Sequence, residues 1–178
     1  MSGWRPGDRR GDSDSMLRVD QAGEYGATRI YAGQLAVLRR NCPEAKLVAR
    51  MADQERRHLD RFNALMANRR VRPTALQPVW NVAGFALGAV TALISEKAAL
   101  ACTDAVETVI DRHYGEQLSE MGEDDPELAA DIADFRADEL EHRDSAREAG
   151  ATDAIGYPVL TAAIRAGCRV AIELSKRI

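Results

Sequence analysis

Two short stretches of this 178-residue chain carry a Glu and a His three residues apart: Asp53-Gln54-Glu55-Arg56-Arg57-His58 and Asp138-Glu139-Leu140-Glu141-His142. On a helix of 3.6 residues per turn, each pair projects from one face, close enough to hold one metal ion. A single pair is an ordinary feature of a solvated helix; two such pairs are not. Each also has a further Glu upstream at a matched distance, Glu24 lying 31 residues before Glu55 and Glu107 lying 32 before Glu139. Four Glu and two His are the donor set of two-metal sites in bundle cores, where two helices give one Glu each and two give Glu-x-x-His. Carboxylate oxygens with imidazole suit iron or manganese better than thiolate-preferring metals, without separating one from the other. Four carboxylates also balance two divalent ions, so the loaded site is neutral and can be buried. Asp138, beside Glu139, could accept the outer N–H of a ligand His from a neighbouring helix, or could simply face solvent. His113 falls at no ligand position, and its readings are a core or surface role, or contact with substrate or a ligand's partners.

Four helices are needed to hold these six side chains, and the pattern supplies them. The first is expected to start near Ser13 to Ser15, with a serine as N-cap, and to run to about Arg40. Its apolar stripe includes Leu17, Ala27, Ile30, Tyr31, Leu35 and Leu38, with Glu24 close beside it between Gly23 and Gly26. A carboxylate there costs several kcal/mol unless paired or metal-bound. Asn41-Cys42-Pro43 ends that helix, and a second is expected from Glu44 to about Asn68, with Met51, Glu55, His58, Phe62 and Leu65 along one side. A third runs from about Glu96 to Met121. The fourth starts at Pro126, a residue favoured in the first helical turn, and stops at Gly150.

An internal repeat supports this arrangement. A shift of 83 residues aligns Glu24 to Leu35 with Glu107 to Leu118, so that Glu24/Glu107, Arg29/Arg112, Tyr31/Tyr114, Gln34/Gln117 and Leu35/Leu118 coincide, and a shift of 84 superposes Glu55 and His58 on Glu139 and His142. Two helix hairpins each contribute the same three ligand types, which predicts twofold pseudo-symmetry around a two-metal centre.

Two segments lie outside the four-helix scheme. Residues 79–94, VWNVAGFALGAVTALI, hold no formal charge. At about 16 residues they fall short of the roughly 20 that span a bilayer, and Asn81, Gly84 and Gly88 weaken the case further. A core helix and a hydrophobic surface resting on a membrane remain, and the second gains weight because four bundle helices already fill the core. The tail, Ile155 to Ile178, reads as an amphipathic helix packed on the bundle or its membrane face.

Composition narrows the class. A length of 178 residues suits one domain with a real core, and low aromatic content (5%) with Gly and Pro gathered between periodic segments favours an all-α fold. A net charge of −4 and no basic patch with interleaved aromatics give no case for nucleic acid. Cys42, Cys102 and Cys168 are far apart and odd in number, and read as buried free thiols in a reducing compartment. Residues 1–14, rich in Arg, Gly and Asp, lack the apolar core of a secretory signal and read as a disordered leader, leaving 15–178 as the helical bundle domain.

At these residues the chain resembles the 5-demethoxyubiquinone hydroxylases, ubiquinone-biosynthesis monooxygenases of the ferritin-like superfamily. The resemblance covers nearly all of Leu17 to Ile178 and is most specific in Arg18-Val19-Asp20-Gln21-Ala22-Gly23-Glu24-Tyr25-Gly26-Ala27, Arg29 to Gln34, Val71-Arg72-Pro73-Thr74, Trp80 to Ala89, and Ala166 to Ile172. It implies a ferritin-like four-helix bundle with two added segments. It implies two iron ions held by Glu24, Glu55, Glu107 and Glu139, with Glu55 and Glu139 bridging and His58 and His142 as terminal nitrogens. The implied reaction places one oxygen atom of O2 on the benzoquinone ring of a polyprenyl demethoxyubiquinone. The implied location is the cytoplasmic face of a bacterial plasma membrane or the matrix face of the mitochondrial inner membrane, met through 79–94. Eukaryotic members work with a lipid-binding partner protein. Arg169 is carried over as a contact for reductant or quinone, while Glu173 departs from the Tyr of animal members. Electrons must come from outside, from NADH or a separate reductase, since no Gly-x-Gly-x-x-Gly follows a strand. Two rivals share the ligands: a ferritin-type iron store, which has no use for the apolar segment, and a di-iron quinol oxidase.

Overall fold

The computed structural model describes residues 10–176, and among them every regular element is helical: α1 (Arg10–Val37), α2 (Pro43–Arg69), α3 (Gln77–Ile94), α4 (Glu96–Met121), α5 (Pro126–Glu148) and α6 (Tyr157–Ser175). A short 3-10 turn, Ala151–Asp153, links α5 to α6. α1 packs on α2 and α4 packs on α5, giving the two hairpins that the repeat predicts, while α3 lies against α1 and α6 against α4.

Local chemistry sets most of the boundaries. Cys42 caps α2, its Sγ accepting from Ala45 N at 3.3 Å, so this thiol is half-buried rather than the buried core residue expected of it. Ser95 breaks the run between α3 and α4 and caps α4 through Ala98 N at 3.0 Å. Asp125 caps α5 through Leu128 N at 3.2 Å, with Pro126 in the first turn. Gly150, at φ 95°, supplies the left-handed residue after α5 that favours glycine. The second, third and fourth bundle helices therefore lie within two residues of their expected bounds.

α1 differs at both ends. It already runs at Arg10, so 10–14 are helical rather than part of a disordered leader; residues 1–9 lie outside the described residues. The buried Ser13 does not act as an N-cap, because α1 already runs through it. The helix also ends at Val37, three residues before Arg40. Of the expected tail helix, Arg177 and Ile178 likewise lie outside the described residues.

α3 resolves the reading of the uncharged segment. It begins two residues earlier than expected, giving 18 residues, enough by length and composition to cross a membrane, yet only 22% of it is buried. It is therefore not a core helix. Gly84 and Gly88 face α1 so closely that a Cβ on Gly88 would sit 1.9 Å from Ile30 O, and one on Gly33 of α1 would sit 2.1 Å from Phe85 O. Small residues four apart allow this backbone-to-backbone contact. The opposite face of α3, with Val82, Val90 and Leu93, is left exposed.

Candidate metal centre

Glu24 comes from α1, Glu55 and His58 from α2, Glu107 from α4, and Glu139 and His142 from α5, and all six are at most 3% exposed. They form two interlocked groups, Glu24/Glu55/His58/Glu139 and Glu55/Glu107/Glu139/His142, whose ligand atoms lie within 4.8 Å of one another in each group. Glu55 and Glu139 belong to both. The four residues read from the 3.6-residue spacing and the two read from their matched upstream distances thus meet in one place.

The donors converge without satisfying one another. His58 Nδ1 lies 3.6 Å from Glu24 Oε2 and 3.2 Å from Glu139 Oε1, and His142 Nδ1 lies 3.1 Å from Glu55 Oε1 and 3.3 Å from Glu139 Oε2. None of these contacts has hydrogen-bond alignment: Glu24 Oε2, Glu55 Oε1, both Glu139 oxygens and both Nδ1 atoms are buried without a partner. Buried polar atoms go unpaired rarely, because each costs about 1–3 kcal/mol. Six of them aimed at a common centre are what a pair of cations would satisfy.

The outer edges of four of these side chains are, by contrast, engaged. Tyr31 donates to Glu107 Oε1 at 2.7 Å, and Tyr114 donates to Glu24 Oε1. His58 Nε2 lies 3.0 Å from Asp138 Oδ2, so Asp138 takes the role the sequence left open for it, across helices. His142 Nε2 lies 3.1 Å from Gln54 Oε1. Phe135 stacks on His58 with centroids 4.0 Å apart. Sequence reasoning did not assign Tyr31, Tyr114 or Gln54 these contacts, although the repeat already aligned the tyrosines. His113 is buried and pairs with Asp20 at 3.1 Å, one turn before Glu24.

Electrostatics follow from packing four carboxylates together. Burial, then the charge of Glu139, pushes Glu55 and Glu107 well above the usual carboxylate range. Burial also opposes ionisation of Glu139, yet the two imidazoles outweigh it and hold that carboxyl at about 2. Burial lowers His58 as well, but Glu139 and Glu24 overcome this and raise it to about 10.

An apolar cavity of about 540 Å³ opens between α1, α3, α4 and α6. Its walls include Gly23 and Val106, the chain neighbours of Glu24 and Glu107, and it extends along Trp80, Leu87, Ile164 and Ile172. Its size and apolar walls suit a small organic ligand with a hydrophobic tail. Cys168 lines it, half-buried, its thiol pushed up to about 11 by burial, while Cys102 behind it is fully buried. Arg169, the next residue, is exposed and does not line the cavity.

Comparison with known proteins agrees with this geometry. The family model described as "Ubiquinone biosynthesis protein COQ7" matches residues 12–175. The chain is 54% identical over 165 residues to a 3-demethoxyubiquinol 3-hydroxylase of Rhodospirillum rubrum, covering 93% of this chain and 78% of the relative. It is 53% identical over 169 residues to the mitochondrial NADPH-dependent 3-demethoxyubiquinone 3-hydroxylase of Homo sapiens, covering 93% and 77%. It is 46% identical over 181 residues to the mitochondrial 5-demethoxyubiquinone hydroxylase of Saccharomyces cerevisiae, covering 93% and 78%.

Proposed function

This chain belongs to the ubiquinone biosynthesis protein COQ7 family, and from that premise we propose that it hydroxylates the ring of a polyprenyl demethoxyubiquinol with O2 at a centre of two iron ions. Glu24 and His58 would hold one ion and Glu107 and His142 the other, while Glu55 and Glu139, which belong to both groups, would serve both. The observation that carries this reading is the pair of interlocked groups, in which six atoms of Glu24, Glu55, His58, Glu139 and His142 are buried and unpartnered. Iron bound there supplies the redox chemistry that activates O2 toward an aromatic ring.

The chain's own residues supply position, dryness and proton bookkeeping. The apolar cavity receives the prenyl tail and brings the ring to the wall formed beside Glu24 and Glu107. Tyr31 and Tyr114 fix the rotamers of Glu107 and Glu24, and Asp138 and Gln54 fix the two imidazole rings with Nδ1 inward. Glu55 and Glu107, pushed toward the neutral form while no cation is present, release their protons as cations enter. The overall reaction consumes O2, two electrons and two protons, and leaves a ring hydroxyl and water. Reduced nicotinamide is the donor class we propose, in keeping with the name of the human relative. Arg169, one residue beyond the cavity wall, is our proposed contact for that donor or for the quinone head.

The exposed apolar face of α3 rests on the membrane in which a polyprenyl substrate dissolves. Its glycines hold it lengthwise on α1, whose Arg29 sits 5.3 Å over the Phe85 ring, which supports a helix lying in the interface over one crossing it. A bacterial plasma membrane or the mitochondrial inner membrane fits, as some relatives carry the word mitochondrial.

The test is the quinone pool of a strain that lacks demethoxyubiquinone hydroxylation, measured by mass spectrometry after complementation with this chain and with Glu139→Ala. Loss of the demethoxy precursor with the first and its persistence with the second is the expected result. A precursor untouched by the wild-type chain, although two irons are bound, would turn the reading toward an iron store or a quinol oxidase.

A further inference from the structure

Gln54 and Asp138 stand at matched places in the two halves, each one residue before the Glu of its Glu-x-x-His pair, yet one is neutral and the other acidic. Each reaches across to the other half: Asp138 Oδ2 lies 3.0 Å from His58 Nε2, and Gln54 Oε1 lies 3.1 Å from His142 Nε2. From this we propose that the two metal positions are unequal, the one held by Glu24 and His58 being the tighter and first filled, because a carboxylate backs its imidazole while a carboxamide backs the other. This rests on the reading that the six residues hold two metal ions.

Both imidazoles turn Nδ1 inward, and both Nδ1 atoms lack a hydrogen-bond partner. An imidazole that coordinates through Nδ1 keeps its proton on Nε2, and the acceptor opposite that proton sets how much electron density returns to Nδ1. A carboxylate draws the proton and makes Nδ1 a stronger donor, whereas an amide oxygen accepts the same bond with no charge. The Asp138 side chain is 37% exposed, so its charge is partly solvated and not an added burden of burial. Most other contacts pair off between the halves, Tyr114 on Glu24 matching Tyr31 on Glu107, with Glu55 and Glu139 shared. Packing reinforces the difference. Phe135 stacks on His58 with ring centroids 4.0 Å apart, while His142 has an edge contact with Tyr31 at 6.5 Å. Asp138 and Gln54 are positioning residues, acting on the metal through the imidazoles.

The measurement is calorimetric titration of the metal-depleted full chain with Mn(II), which does not oxidise during the run. Two ions per chain in two separate steps are expected, the first tighter by about ten- to a hundredfold. Fewer than two ions would sink the two-metal reading itself, independently of the asymmetry. Asp138→Asn keeps the shape and removes the charge. It should weaken the tighter step by about tenfold or more and leave the weaker step in place, closing the gap. Gln54→Glu, also isosteric, should strengthen the weaker step by a similar factor. Unmoved steps, or a loss confined to the weaker step in Asp138→Asn, would overturn the proposal. So would equal weakening of both steps with a lowered Tm of the metal-depleted variant, because Asp138 would then only be holding α5 in place.

Discussion

Tyr31 donates its hydroxyl to Oε1 of Glu107 at 2.7 Å, reaching from the first half of the repeat into the second. The shift of 83 residues that maps Tyr31 onto Tyr114 also maps Glu24 onto Glu107, and Tyr114 returns the same bond to Glu24. Each half therefore orients the Glu of the other. Burial, then the charge of the carboxylate it serves, raises both phenols well above their usual range, so both stay donors throughout neutral pH.

Tyr114→Phe leaves a buried oxygen of Glu24 without its donor and should cost about 1–3 kcal/mol. For a chain of this size that lowers Tm by about 3–10 °C. Bound metal should stay at two ions per chain, since a tyrosine that only orients a ligand can be lost without losing the ion. Scanning calorimetry and metal analysis on the same preparation check both halves of this. An unchanged Tm would mean the hydroxyl is replaced by water at no cost.

Metal removal should reverse the pH dependence of stability. In the stripped chain, Glu55 and Glu107 are raised, so above about pH 4.3 the folded state holds more protons than the unfolded one and stability falls as pH rises. His58, raised to about 10, contributes stability that is complete below about pH 6.5 and is lost as pH climbs through that folded value. Glu139, held at about 2, loses its contribution only in strong acid. The Tm of the stripped chain should therefore fall between about pH 5 and about pH 9. The loaded chain should hold steady or rise over the same range, because cation uptake releases protons and tightens with pH. A stripped Tm that climbs with pH would contradict the shifts.

Much of this was legible in the residues themselves. Glu-x-x-His fixes which side of a helix the two side chains share, and the 83- and 84-residue shifts fix which helices are partners, so the convergence of these six side chains and the four bundle helices followed from spacing. Pro126 placed a helix start for the same reason, since it acts within one turn of its own backbone, whereas the Ser95 cap of α4 showed only in the structure. What stayed hidden depends on contacts between distant segments. Ser13 was a plausible cap although α1 runs on through it to Arg10, and Gln54 gave no sign of touching His142, 88 residues away. Gly84 and Gly88 read as defects in a membrane span, and only the approach of α1 shows them to be a contact surface.

That contact gives a sharp comparison between two glycines. A Cβ at position 88 would meet the Ile30 carbonyl oxygen at 1.9 Å, and backbone cannot move aside cheaply, so Gly88→Ala should destabilise by about 3 kcal/mol or more. A Cβ at Gly26, also on α1, meets nothing within 4 Å, and Gly26→Ala should be neutral or stabilising by up to about 1 kcal/mol. Urea unfolding of both variants separates a packing requirement from a general preference for alanine in helices. Equal effects would mean that α3 can lift off α1 without loss.

The face of α3 opposite those glycines carries the last prediction. Val82 is 68% and Leu93 72% exposed, and Ile155 and Val159 near the head of α6 are exposed as well. Large apolar side chains in water gain about 1.5–3 kcal/mol each on full burial, so a surface of several binds a bilayer without help from charge. Val82→Asp with Leu93→Asp should reduce co-sedimentation with neutral phosphatidylcholine vesicles at least tenfold. It should leave Tm nearly unchanged, because neither side chain is part of the core. The neutral lipid matters to the reading, since a chain of net charge −4 has little electrostatic attraction to anionic headgroups and must rely on apolar contact. Retained binding by the double variant would move the membrane contact away from α3, and a matching fall in Tm would show these residues to be packed in solution.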